Sequence, residues 1–164
     1  MRIARVIALT LALAACATAS PTANGGFNGF EGSWRGTGMF QGMPSMVEAR
    51  VAPLMGGQVW SLDVSVTATP PNGEAVRFTG RAQYAVREGA PIAGNWIDTT
   101  GAAYAIAPRI ENGVLIVNWG EDAPVRGRSE YRLQDDGDLQ IDDFIPGRDG
   151  QQRRFATAEL HRVR

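Results

Sequence analysis

Lysine is absent from this chain: all 16 basic side chains among its 164 residues are arginine. That excludes a Schiff-base lysine and the phosphate-binding lysine of a P-loop. Cysteine and histidine occur once each, as Cys16 and His161. No internal disulfide can form, and no His/Cys spacing suits zinc. The 17 acidic residues nearly cancel the arginines, leaving a formal charge of -1. Such a balance gives no pull toward a phosphate backbone, and no nucleic-acid partner is expected. No apolar run reaches the roughly 20 residues of a membrane-spanning helix. The catalytic inventory is equally thin, with no Gly-x-Ser-x-Gly elbow and no evident partner for His161. No enzyme activity is expected.

What the first residues do contain is patterned. Arg2 and Arg5 precede an apolar run over residues 6–13, the length of a signal-peptide core. The run ends in Leu13-Ala14-Ala15-Cys16, which resembles the lipobox of bacterial lipoproteins. Small residues at 14 and 15 suit a narrow peptidase pocket, and the cysteine supplies the thiol that is acylated. The resemblance implies removal of residues 1–15 as a lipoprotein signal peptide and lipidation of Cys16. Several acyl chains on one residue anchor a protein to a membrane stably. Ala17, where an aspartate would retain such a protein at the inner membrane, implies the outer membrane, facing the periplasm. Residues 16–30 then comprise the lipidated cysteine and a small, polar, glycine-rich tether.

Residues 31–164 read as one all-β domain. Turn signals recur every 8–12 residues, at 54–58, 70–74, 87–91, 99–102, 111–113, 120–124, 135–138 and 147–150. Between them apolar and polar residues alternate. Trp60, Leu62, Val64 and Val66 share one face, as do Phe78, Gly80, Ala82 and Tyr84, and Ser129, Tyr131 and Leu133. One buried and one wet face indicate an antiparallel sheet around a single core. The expectation is an up-and-down β-barrel of about nine or ten strands. The glycine-rich stretch 31–40 fits it as a first strand, with Trp34, Gly36, Gly38 and Phe40 on one side. No strand precedes it, as a Rossmann loop would require.

Gly32-x-Trp34-x-Gly36-x-Gly38 opening such a meander resembles the calycin superfamily, and within it lipocalin-like and nitrobindin-like domains. The closing segment 149–164 is similar to the last strand of such barrels. The resemblance implies an arginine from a late strand packed over Trp34, with Arg132, Arg153, Arg154 and Arg162 as candidates. It also raises haem, which nitrobindins bind through a last-strand histidine. That histidine corresponds to about Ala156 or Thr157 here, and His161 lies four residues from the end. No cofactor is therefore expected, and His161 is expected in solvent at a frayed strand end.

The acidic stretch 135–143 lacks EF-hand spacing. Asp135, Asp136 and Asp138 around Gly137 suit a tight turn, while Asp142 and Asp143 must point to opposite faces, which leaves either one as the inward acid. The aromatics and the recurrent small residues on the same faces leave two possibilities, a filled barrel or one hollow enough for a ligand. The expected function is binding of a small, largely apolar ligand, with Trp34, Trp96, Tyr104 and Tyr131 as cavity walls. A filled barrel docking on an envelope partner and a haem protein are the alternatives.

Overall fold

The computed structural model describes residues 26–123 and 125–163. The signal peptide, Cys16 and most of the tether lie outside the described residues. Ten strands follow one another: β1 (Gly32–Phe40), β2 (Met43–Leu54), β3 (Val59–Ala68), β4 (Val76–Arg87), β5 (Ala90–Asp98), β6 (Ala103–Glu111), β7 (Val114–Trp119), β8 (Gly127–Leu133), β9 (Leu139–Pro146) and β10 (Gln152–Val163). Each pairs antiparallel with the next, and β1 pairs with β10, so the sheet closes into a barrel with no free edge. The expected all-β barrel is the observed one, at the upper strand count.

All eight sequence turn signals fall at strand connections. A ninth connection carries no conspicuous signal. Gln41 and Gly42 join β1 to β2 with φ of 51° and 80°, like Glu88-Gly89 and Asn112-Gly113 elsewhere. Both central residues of these two-residue turns are left-handed, which matches the twist of the strands they join.

One end of the barrel is plugged. Phe27–Phe30, expected as tether, form a 3₁₀ turn whose Phe27 and Phe30 rings are buried. Phe27 packs edge-on against Trp60 at 5.3 Å and lies 5.0 Å from Tyr84, and its amide donates to Gly89 O. Two aromatic rings in four residues overcome the flexibility that the flanking glycines suggest. Beside this plug the Trp34 indole donates from Nε1 to Phe30 O at 3.0 Å. The Arg162 guanidinium lies over the indole, 4.1 Å from the ring centroid, and donates to Glu31 O and Gly29 O. Of the four candidate arginines, Arg162 is thus the one that covers Trp34. Gly32 makes room for it: its φ is 138°, and a Cβ there would collide with the guanidinium.

Candidate functional site

The other end is open, and the interior beyond the plug is hollow. A cavity of about 920 Å³ runs inward from the loops that carry Gln41, Thr99, Thr100, Ala102, Ala123 and Val125. Its size is within the range of about 300–1,000 Å³ typical of small-molecule pockets. Exposed apolar side chains, Met39, Val76 and Val125, stand at the mouth.

Below the mouth the wall is aromatic. Trp96 stacks on Phe78, Phe78 on Phe40, and Tyr104 on Trp119, with centroids 6.3, 6.2 and 6.4 Å apart. Phe155 touches both Phe40 and Trp119 edge-on, at 6.1 and 6.3 Å, so six rings form one connected girdle. Two local features set its shape. The register of β10 against β9 shifts between Arg154 and Ala156, a bulge that lets Phe155 and Ala156 both line the cavity. Gly80 on β4 leaves space for Trp96, whose ring occupies the place a Cβ would take. Gly80→Ala is expected to push that indole into the cavity and lower stability by about 1–3 kcal/mol, read as an earlier urea midpoint with altered tryptophan emission.

The polar groups are few and grouped. Asp143 on β9 faces the cavity, and Asp142 faces outward to Arg154 at 3.0 Å, as the two-residue period of a strand requires. Burial pushes the Asp143 carboxyl up to about 6; a hydrogen bond from Ser129 opposes the rise and the charge of Asp142 adds to it. Ser129 also accepts from Trp119 Nε1 at 3.1 Å. Burial raises Tyr84, Tyr131 and Tyr104 above the ordinary tyrosine value, and all three feel the charge of Asp143. Near the mouth, Asp98 accepts from Trp96 Nε1 at 2.7 Å. Burial would raise it, but bonds from Thr100, Trp96 and two backbone amides hold it below the usual carboxylate value. The result is an apolar chamber with one inner carboxylate ringed by hydroxyls and a second at its entrance.

Of the residues expected as walls, Trp96, Tyr104 and Tyr131 come together on this cavity. Trp34 does not. Its ring lies at the plugged end, fixed between Phe30 and Arg162, because the first inward position of β1 falls at the plug. His161 is not frayed: it lies within β10, paired to Arg35 of β1, and its side chain points to solvent, with Nδ1 2.6 Å from Asp138 Oδ2. That bond raises its pKa. The same register that puts Leu160 inside puts His161 outside, so a group in the cavity does not meet its imidazole. No set of three or more His, Cys, Asp or Glu among the described residues is placed to hold a metal. Sequence reasoning missed Phe40, Phe78, Trp119 and Phe155 as one girdle and left the inward acid open. The alternation Leu139, Ile141, Asp143 against Gln140 and Asp142 is a signal that marks Asp143 as an acid on an apolar face.

No protein-family model matches the chain, and no curated protein does. Among solved structures the barrel is similar to the S-type phycobiliprotein lyase CPES from Guillardia theta. The TM-score is 0.52 over 84% of this chain and 90% of that one, at 12% sequence identity. The fold is calycin-like. At that identity the likeness concerns architecture alone.

Proposed function

We propose that this calycin-like barrel binds a small, largely apolar ligand inside its cavity and is held at the bacterial envelope by acyl chains on Cys16. The observation that carries the binding reading is the cavity itself: hollow, plugged at one end, open at the other and walled by six connected aromatic rings. A chamber of that kind gains from every apolar ligand atom it removes from water, roughly 25 cal/mol per Å². The anchor reading rests on the signal-like residues 1–15 and the lipobox-like 13–16. It places the protein at the outer membrane, facing the periplasm. The first described residues, through Phe27–Phe30, lie at the plugged end, opposite the mouth. A filled barrel that merely docks on a partner is less well supported, since the interior is open. Binding without catalysis is the function proposed, and the lyase's activity is not transferred to this chain.

One experiment reads both halves. The full chain is expressed in a Gram-negative bacterium, purified gently from membranes and weighed by denaturing and native mass spectrometry. The expected denatured mass is that of residues 16–164 plus acyl chains, and the expected native mass carries a further small molecule. An unacylated mass ends the anchor reading. A clean native mass, unchanged after exposure to envelope lipid extract, ends the carrier reading.

A further inference from the structure

We infer that the cavity selects an organic cation, an apolar body bearing an amine or quaternary ammonium, over an organic acid of the same size. This rests on the ligand-binding reading above and names its ligand class.

The charges of the lining point one way. Asp143 and Asp98 both face the cavity. Among the described residues the one basic side chain in the lining is Arg77, at the mouth, and its Nε is turned to Ser65 Oγ on the outer wall at 3.1 Å. A carboxylate ligand meets two fixed acids and no inward cation; a cationic ligand meets its counter-charge. The girdle favours the same sign, because the faces of Trp96, Trp119, Tyr104 and Phe78 carry the negative part of the ring quadrupole. An independent feature points to a bound molecule. Ser45 is 6% exposed, it lines the cavity, and its Oγ has no hydrogen-bond partner among the described residues. Buried hydroxyls are rarely left unpaired, and a ligand atom or a water it brings would satisfy this one.

The groups facing Asp143 are Tyr84 on β4, Tyr104 on β6, and Ser129 and Tyr131 on β8, with Asp142 behind it on β9. None is positive. An ionised Asp143 therefore lacks a protein cation, and a ligand cation supplies one, with the surrounding hydroxyls orienting toward the pair. Acidification through about 6 protonates the carboxyl and removes the attraction.

The test uses the full chain with Cys16→Ser, so that no acyl chain competes, and three probes below their micelle concentrations: dodecyltrimethylammonium, dodecanoate and dodecanol. Tryptophan emission follows binding at pH 7.5. The cation is expected to bind about tenfold more tightly than dodecanoate, and Asp143→Asn to weaken the cation about tenfold more than it changes dodecanol. Lowering the pH to 5 should weaken the cation and not the alcohol, a result that needs no variant and so survives any folding defect. Dodecanoate binding as tightly as the cation overturns the inference, as does a cation affinity indifferent to both Asp143→Asn and pH. In either case dodecanol binding would leave the carrier reading standing, whereas failure of all three probes to bind sinks both.

Discussion

Trp34→Ala is expected to destabilise the barrel by about 3–5 kcal/mol, the usual cost of emptying a buried tryptophan site. The ring is 1% exposed and does three jobs at the plugged end. It fills the space beside Phe30, donates from Nε1 to Phe30 O, and forms the surface on which Arg162 rests. Its loss leaves Phe30 O without its donor and the guanidinium without a seat. The plug residues Phe27 and Phe30 should loosen with it, exposing the floor of the cavity to water. Arg162→Ala removes the cation–π contact and the bonds to Glu31 O and Gly29 O but leaves the ring, and should cost only about 1–2 kcal/mol. Urea unfolding followed by tryptophan emission and by circular dichroism ranks the two. Equal losses would mean that the arginine, not the indole, holds this end together.

Asp143→Asn should do the reverse and stabilise the protein at neutral pH. Burial lifts the Asp143 carboxyl from 3.8 to about 6 in the folded chain. A folded-state pKa above the unfolded one favours folding fully below 3.8, and that advantage disappears as pH rises through about 6. Above that the folded barrel holds an unpaired carboxylate at a cost of up to about 3 kcal/mol. Asparagine has the same shape and never ionises. The variant should therefore gain up to about 3 kcal/mol at pH 8 and almost nothing at pH 4, as measured by urea midpoints across that range. A residue that costs stability on an otherwise apolar wall, yet improves the fold when neutralised, is the expected signature of a binding group. A gain that does not depend on pH would contradict the assigned burial of the charge.

The architecture was legible because period-two alternation and turn chemistry are local. The inward faces of β3, β4 and β8 could be written down from Trp60, Phe78 and Tyr131 and their i±2 neighbours, and the structure keeps them. The Gln41-Gly42 turn escaped because glutamine seldom marks a left-handed position. The plug escaped because Phe27 and Phe30 lie in a segment whose composition is that of a linker; only the barrel end they close shows their purpose. The cavity was harder still. Whether a barrel of ten strands is hollow depends on how far inward residues reach across it, and that is a property of all strands together. Trp34 and Trp96 look alike in sequence, each on an inward strand position. They part because one lies beside the plug and the other opposite Gly80, near the mouth. Phe155 needed the bulge in β10, an extra residue that no alternation rule anticipates. Asp143 was half legible: the strand period separates it from Asp142, but which of the two faces inward is fixed by the register with Ala156 and Ser129.

The interior is one accessible apolar chamber. Titration with N-phenyl-1-naphthylamine, which accepts energy from nearby tryptophans, tests it directly, because Trp96 and Trp119 stand in the wall. One saturable site per chain is expected, with tryptophan emission falling as probe emission rises. Absence of saturable binding, with tryptophan emission unchanged, would contradict it.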